Sequence, residues 1–458
     1  MSADYETRKA LAATGGLSGF RVRCRNCFGT EYFSFLILMK VFFRNIHLYL
    51  SLVSGLIIAV VCFTGGVLVF EKELEQAWHS ERYFVAPPAS SAPARLPLSQ
   101  LTAAVQAARP GARITGLKVY ADPTRTVEFS LAGEPEGGQK AQGGRRQTAA
   151  AAAPAKPNEA GPGKGKTGRE GGKKGEKGGK GGGRGPTVFV NPYTAAVTGE
   201  LNYRDTFFYT MMAIHRGMVG GEVGKLVVGV STVLFLFIIG TGLVLWWPAS
   251  RKAVKQRLNV KWDGSFKRLN HDLHVVLGFY AALLLFVFAF TGLAWSFEWF
   301  NKGIYAVTNS SLERPEPPVS ALPTAPAGFS PDEALARART LAPTAVYYAL
   351  QLPKDSTASF KLATLRPNAA TDNMTDEVYL DQYSGRTVGA QTYEQRNLGQ
   401  RVRGLFKPVH TGAIWGWPGK IVSLVACLLG FTFPITGTIM WLNRLKKARK
   451  KQAKQLIA

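Results

Sequence analysis

The sequence predicts an α-helical membrane protein in which four transmembrane helices form two parallel repeats, each with a small α+β domain outside the bilayer. Three observations support this prediction: four long apolar runs, a repeated sequence pattern, and histidines at corresponding positions. Each run is about 20 residues long, and a helix of that length crosses a hydrocarbon core of about 30 Å. The runs cover residues 46–70, 226–247, 275–295 and 421–442.

The second half of the chain repeats the first at two constant offsets. At offset 195, HRGMVGGEVGKLVVGV from His215 aligns with HTGAIWGWPGKIVSLV from His410. At offset 227, His47 aligns with His274. The further pairs matched at offset 227 include Phe63/Phe290, Thr64/Thr291, Gly65/Gly292 and Glu71/Glu298. Parallel repeats of this kind are related by an axis along the membrane normal.

Lysine and arginine residues beside the apolar runs predict the orientation in the membrane. Basic clusters occur at residues 40–44, 251–268 and 444–451. These segments are predicted to be cytoplasmic, together with both termini, and the two long loops are predicted to lie outside. The net charge of +26 comes largely from these clusters and from a Gly/Lys-rich insert, so it does not indicate a nucleic-acid partner.

The two outer loops contain matching hairpin signals. VFVNPYTAAVTGE starts at Val188 and VYLDQYSGRTVGA starts at Val378, and each reads as strand, turn and strand. Each hairpin follows a predicted helix, at residues 98–108 and 331–341, and at least one further strand. Each outer loop is therefore predicted to form a small α+β unit.

Four of the six histidines lie at the ends of the apolar runs and match two by two. His47 and His274 fall on the predicted cytoplasmic side, and His215 and His410 on the outer side. Two neutral imidazoles on facing helices are typical of a low-spin haem b, and ionisable groups beside membrane spans are costly. The sequence thus predicts two haem b groups, one per pair. The alternative is interfacial histidines satisfied by water or backbone carbonyls.

Covalent c-type haem attachment is excluded, because no CxxCH motif occurs. His271 competes with His274 for the inner site, since residues three positions apart share a helix face. Only His274 matches His47 in the repeat. His271 is therefore left as an alternative ligand, a hydrogen-bond partner of a propionate, or a contact for a cytoplasmic donor.

Several other residues near the predicted haems are candidates for a role. Trp415 and Trp417 follow His410 closely in sequence. They are either membrane-interface anchors or substrate-side groups at the outer haem. Glu71 and Glu298 match at the outer ends of spans one and three, where they either bind a cation or cap a helix. Each run also has a Thr-Gly pair, which allows helices, or a flat macrocycle, to approach closely. These pairs are at residues 64–65, 241–242, 291–292 and 436–437.

The chain resembles the PepSY-associated transmembrane proteins, often called iron-regulated membrane proteins. The motifs that carry the resemblance are IHLYLSLVSG, LHVVLGFY, IHRG and VHTGAIWG, together with the two hairpins. The first hairpin departs from the pattern, because Ala195-Ala196 stands where the second has Gly385-Arg386. The resemblance implies a bacterial inner-membrane protein with PepSY-like periplasmic domains, some of whose relatives reduce ferric siderophores through two b haems.

The predicted organisation follows the runs, the loops and this resemblance. The Gly/Lys insert at 133–186 has 18 glycines and 12 Lys or Arg, so it is predicted to be a disordered solvated loop, or else a tether for anionic polymers or siderophore carboxylates. The segments are an uncertain N-terminal extension 1–39, span one 40–75, the first PepSY-like domain 76–207, outer haem segment and span two 208–248, cytoplasmic loop 249–268, span three 269–300, the second PepSY-like domain 301–400, outer haem segment and span four 401–443, and a basic tail 444–458.

The resemblance implies electron transfer from a cytoplasmic donor, through the inner and then the outer haem, to a ferric siderophore. The donor is a separate protein, a reduced flavin or a quinol. Three alternatives stay open: a non-redox permease for iron or siderophore, a PepSY-type peptide-binding regulator, and a haem protein with another oxidant or a copper centre as acceptor. A permease would favour broken, polar helices at mid-membrane, whereas these runs have apolar centres.

Overall fold

The computed structural model describes residues 18–89, 94–133, 185–248, 250–313, 315–321 and 328–457, with the backbone alone for residues 18–37 and for Ile457. The first 17 residues and nearly all of the predicted insert, residues 134–184, lie outside this part of the chain. The helices are α1 (Ser18–Leu68), α2 (Glu71–Trp78), α3 (Ser80–Tyr83), α4 (Leu98–Ala108), α5 (Phe207–Gly217), α6 (Gly221–Trp246), α7 (Arg251–Leu258), α8 (Phe266–Ser296), α9 (Glu298–Val307), α10 (Pro331–Leu341), α11 (Leu398–His410) and α12 (Gly416–Ile457).

Four long helices, α1, α6, α8 and α12, form an apolar bundle. α1 packs against α6 and α12, and α8 packs against the same two helices, so α1 and α8 occupy opposite corners. Each of the four has a stretch long and apolar enough to cross a membrane. Large apolar side chains face outward: Val53, Leu56 and Leu283 are 73%, 77% and 72% exposed. This is the surface expected of helices that contact lipid, and the four predicted spans are confirmed as helices of spanning length.

The helix boundaries differ from the predicted ones at both ends of the chain. α1 begins at Ser18, within the predicted extension, and it ends at Leu68, so that residues 71–75 belong to α2. α12 continues to Ile457 through the segment predicted to be a basic tail. Lysine, arginine, glutamine and alanine dominate that segment, and all four are good helix formers.

The strands form one antiparallel sheet in the order β4-β3-β2-β1-β5-β6-β7-β8. β1 pairs with β5 at the middle of the sheet, where Lys118 lies opposite Ala349. The two predicted outer domains therefore share a sheet and form one structural unit, and their pairing covers two strand edges that would otherwise be exposed. The strands are β1 (Ile114–Tyr120), β2 (Val127–Leu131), β3 (Thr187–Val190), β4 (Val197–Leu201), β5 (Tyr347–Gln351), β6 (Phe360–Leu365), β7 (Thr375–Leu380) and β8 (Thr387–Gln391).

One face of the sheet is covered by α4 and α10, whose bounds match the predicted ones. Leu101 and Val105 of α4 belong to the same buried cluster as Phe129 and Leu362 of the sheet. Residues alternate between the two faces of a strand, so the opposite face presents the intervening side chains. Several of those side chains are small or polar and line a cavity above the helix bundle.

Both predicted hairpins are present, as β3–β4 and β7–β8. Asn191 and Asp381 begin the two turns, and each side chain accepts a hydrogen bond from the backbone N–H two residues on, at 2.9 and 3.0 Å. Ala195 adopts φ 60° at the position where Gly385 adopts φ 67°. The alanine therefore keeps the turn geometry, although the left-handed region favours glycine.

Candidate functional site

Two histidines face each other at the end of the bundle far from the sheet. His47 belongs to α1 and His274 to α8. Their ring centroids are 6.4 Å apart, and the ring planes lie at 84° to each other. This sheet-distal pair connects opposite corners of the bundle.

A second pair lies at the end of the bundle nearer the sheet. His215 and His410 are carried by α5 and α11, the short helices that precede α6 and α12. Their ring centroids are 6.2 Å apart, with ring planes at 73°. α5 folds back against α6, whereas α11 packs against α8 and α9 and meets α12 through the turn at residues 412–416. A side chain at Gly224 or at Gly419 would overlap a backbone carbonyl of the preceding segment. These two matched glycines thus fix where the sheet-proximal pair lies.

All four imidazoles are held in the same way at Nδ1. Each Nδ1 lies within hydrogen-bond distance of a threonine Oγ1 from one of the Thr-Gly pairs. The pairs are His47–Thr241 at 3.0 Å, His215–Thr64 at 3.3 Å, His274–Thr436 at 2.9 Å and His410–Thr291 at 2.9 Å. Each threonine hydroxyl also donates to a carbonyl of its own helix. It therefore accepts a hydrogen bond from the imidazole Nδ1–H.

Backbone carbonyls reinforce this arrangement. The Nδ1–H of His47 also faces the Ile238 carbonyl at 3.1 Å, and that of His215 faces the Val61 carbonyl at 2.9 Å. In both cases the carbonyl is three residues before the threonine that holds the same ring. Because the proton is kept at Nδ1, each neutral ring presents the lone pair of Nε2 to a ligand.

The glycine of each Thr-Gly pair makes room for the ring that the threonine holds. A β-carbon added to it would lie close to the histidine Cε1. The separations are 3.0 Å for Gly65 and His215, 3.3 Å for Gly242 and His47, 3.6 Å for Gly292 and His410, and 3.2 Å for Gly437 and His274. The sequence left helix packing and macrocycle contact open for these residues, and the structure places them around the four imidazoles.

The spacing of each pair fits one metal atom between the two rings. A metal–imidazole bond is about 2.0–2.1 Å, and the nitrogen is about 1.2 Å from its ring centre, so a metal held in line between the two rings would need centroids about 6.4–6.6 Å apart. The observed separations are 6.4 and 6.2 Å. Among the described residues, no group of three or more His, Cys, Asp or Glu side chains gathers at one point. Two facing imidazoles could hold a metal whose other ligands come from a macrocycle.

The two histidine pairs are separated by apolar packing. Seventeen residues lie along α1 from His47 to Thr64, and the same number along α8 from His274 to Thr291. This corresponds to about 26 Å along the helix axes. The space between contains a buried cluster of Ile239, Ala281, Ala282 and Leu285, with Phe235, Phe288, Leu429 and Phe433 packed against it.

A large cavity connects the sheet-proximal pair with the polar face of the sheet. Its volume is about 1180 Å³, and His215 and His410 both line it. Trp295 also lines it, and its ring centroid lies 5.4 Å from that of His410. Sequence reasoning missed Trp295 at this site, although it follows Thr291 by four residues and so shares its helix face. Loss of water contact lowers the pKa of His215 and of His410, which favours the neutral ligand form.

The matched acids Glu71 and Glu298 have different surroundings. Glu71 lines the cavity, and its pKa is raised by burial, although the Tyr203 hydroxyl forms a hydrogen bond with it and opposes the shift. Glu298 is exposed and accepts a hydrogen bond from Lys302 at 2.8 Å, which lowers its pKa. Of the two acids, Glu71 is therefore the one placed to meet a bound molecule.

Trp415 and Trp417 do not line the cavity that contains His215 and His410. Their side chains are 66% and 60% exposed, and Trp417 packs against Phe70. Indoles in such positions at the end of a span suit the membrane interface. His271 lies outside the sheet-distal pair: it is exposed, and its Nδ1 is 3.2 Å from a carboxylate oxygen of Asp272.

The family model described as "PepSY-associated TM region" matches residues 44–444. The chain belongs to this family. The match contains all four spans, both histidine pairs and the whole sheet. A search of curated proteins finds no match to the chain. Family membership is consistent with an iron-related function in a membrane protein.

Proposed function

We propose that this membrane protein carries electrons across the bacterial inner membrane and reduces Fe(III)-siderophores on the periplasmic side. His47 and His274 would hold one haem b, and His215 and His410 a second. The observation that supports this best is the identical setting of the four imidazoles, in two pairs 6.4 and 6.2 Å apart. Chance interfacial histidines would not share a threonine, a glycine and a fixed spacing.

The residues of the chain would tune and insulate the two sites. Each haem, when bound, supplies a one-electron Fe(III)/Fe(II) couple. The threonine and carbonyl acceptors at Nδ1 fix the orientation of each ring and raise its basicity as a ligand. The apolar cluster around Leu285 excludes water between the sites. The low polarity and the burial of the sites set their potentials together with these hydrogen bonds.

The charges and the cavity support electron flow from the sheet-distal pair to the sheet-proximal pair. The basic segments 251–268 and 444–451 lie at the end of the bundle that carries the sheet-distal pair, which supports a cytoplasmic location of that end. A separate protein, a reduced flavin or a quinol would supply the electrons there. At the other end, the cavity gives a ferric chelate access to the sheet-proximal pair. One electron converts Fe(III) to Fe(II), which hard oxygen donors hold less strongly.

The test is the haem content of the purified protein and of single histidine variants. Protein from haem-replete cells is expected to show a low-spin b-type spectrum with about two haems per chain. His274→Ala and His410→Ala should each lose one haem, whereas the control His271→Ala should keep both, because His271 is exposed and outside the pair. Wild-type protein without haem, or His274→Ala and His410→Ala variants that keep both groups, would refute the assignment.

The electron-transfer step has its own readout. Dithionite-reduced protein, freed of excess reductant, should be reoxidised when a ferric siderophore is added, and Fe(II) should appear at one equivalent per electron. A Fe(II)-specific chelator measures this product. If the protein binds haem but ferric chelates leave it reduced, the acceptor is another oxidant or a copper centre. If it holds no haem, a permease or a peptide-binding regulator is favoured.

A further inference from the structure

The wall of the cavity formed by the sheet has a distinct chemical pattern. Small residues at its middle, Gly116, Ala349 and Ala363, leave space below the central strands. Lys118 of β1 and Lys361 of β6 project on either side of this space, and both line the cavity. This part of the wall thus lies between two ammonium groups, of which that of Lys361 is ion-paired with Glu377 at 2.9 Å, whereas that of Lys118 is not.

Lys118 is placed unusually for a lysine. It is half-buried, and its Nζ lies 3.8 Å from the ring centroid of Tyr347 and 4.6 Å from that of Tyr120. No carboxylate of the described residues lies within 4 Å of this Nζ. Desolvation lowers the pKa of Lys118. A partly desolvated cation without an ion pair is costly, and a bound anion would offset that cost.

Positive charge also predominates among the charged residues that line the cavity as a whole. Four cations and two acids line it, and Arg216 and Lys407 form no ion pair within 4 Å with any residue of the described ranges. Of the two acids, Glu128 already accepts hydrogen bonds from Tyr120 at 2.8 Å and Arg125 at 3.3 Å. The cations are Lys118, Arg216, Lys361 and Lys407, and the acids are Glu71 and Glu128.

We propose that this cavity is the substrate site and that it selects negatively charged ferric chelates, those with carboxylate or catecholate donors, through Lys118 of the sheet together with Arg216 and Lys407. The proposal rests on the proposed function, since it names the substrate class of that reaction. The cavity of about 1180 Å³ exceeds the usual small-molecule site of about 300–1,000 Å³. It therefore has room for a metal chelate beside the group that His215 and His410 hold.

Binding is tested with gallium(III), a redox-inert substitute for Fe(III), so that the result does not depend on electron transfer. Anionic Ga(III) citrate and a neutral Ga(III) trihydroxamate are titrated into the full-length protein by calorimetry. The anionic chelate should bind at least tenfold more tightly, and its affinity should fall as salt is raised. Equal affinity for both chelates, or no salt dependence, would overturn the proposal.

Variants assign the effect to the cavity. Lys118→Gln should weaken binding of the anionic chelate by about tenfold or more and leave the neutral chelate unchanged. Lys118→Arg, which keeps the charge, should retain most of the affinity, and this comparison excludes general misfolding. The matched control Lys302→Gln removes an exposed ion-paired lysine that does not line the cavity, and it should bind like wild type. The same loss in Lys302→Gln as in Lys118→Gln would contradict the assignment.

Different results would contradict the anion site and the reductase function. If Ga(III) citrate binds as expected but ferric citrate does not reoxidise the reduced protein, the anion site stands and the reductase function falls. If ferric citrate and a neutral ferric trihydroxamate reoxidise the protein equally well, and Lys118→Gln changes neither rate, the reductase function stands and the anion site falls.

Discussion

Replacing Thr436 with valine removes one hydroxyl from the sheet-distal site and keeps the shape of the side chain. The Thr436 Oγ1 accepts from His274 Nδ1 at 2.9 Å and donates to carbonyls of its own helix. Valine has no oxygen, so the His274 N–H loses this acceptor in an apolar setting. The ring orientation that directs Nε2 toward His47 is then less strongly fixed.

The expected loss of affinity follows from the effect of comparable hydrogen bonds at other metal sites. Loss of the hydrogen bond that orients a metal-bound histidine typically weakens metal binding about 10- to 100-fold, or about 1.4–2.7 kcal/mol. The sheet-distal site should therefore bind haem more weakly by this factor. The less basic imidazole should also raise the reduction potential of that site, because it donates less charge to Fe(III). The sheet-proximal site, about 26 Å away along the bundle, should keep its affinity and potential.

Haem titration of the apoprotein and a spectroelectrochemical titration of the holoprotein measure the two effects. Thr438→Val is the matched control, because Thr438 lies two residues along the same helix and its hydroxyl donates only to the Pro434 carbonyl, at 2.7 Å. It should behave like wild type at both sites. If Thr436→Val binds two haems with wild-type affinity and an unchanged potential, the threonine does not support the ligand and the reasoning is refuted.

Two further predictions concern the sheet and the cavity. Ala195→Gly should stabilise the protein by up to about 1 kcal/mol, because a β-carbon at φ 60° is strained, whereas Gly385→Ala should destabilise it by more, since the new methyl group would also overlap the Phe329 ring. Thermal unfolding in detergent measures both, and shifts of equal sign would contradict the turn assignment. Glu71→Gln should gain stability relative to wild type as the pH rises from about 4 to 7, because the raised pKa of Glu71 means that the unfolded chain ionises first. A difference that stays constant over this range would show that the Glu71 carboxyl is not desolvated in the fold.

Local sequence patterns were sufficient to predict most of the secondary-structure elements. The apolar runs predict all four long helices, and the predicted helices at residues 98–108 and 331–341 have the bounds of α4 and α10. The turn residues Asn191 and Asp381 mark both hairpins. These features depend on neighbours within a few residues, which a single sequence displays directly.

Contacts between distant segments of the chain could not be predicted from such local patterns. The pairing of β1 with β5 joins residues more than 200 positions apart, and neither strand carries a signal for its partner. The sequence match between Glu71 and Glu298 did not foretell that only Glu71 would line the cavity. Proximity in sequence to His410 likewise favoured Trp415 over Trp295, although the tryptophan that contacts the His410 ring comes from another helix.

The Thr-Gly pairs show how much of the site could be predicted from the sequence. Their recurrence was visible, but close helix packing explained them equally well until the structure placed each one against a histidine of a different helix. α1 carries His47 near one end and Thr64 near the other, and α8 carries His274 and Thr291 at the same seventeen-residue spacing. Each of these helices thus supplies a ring to one site and an acceptor to the other. The separation and relative orientation of the two sites are therefore fixed by the rise and twist of two helices, without any loop between them.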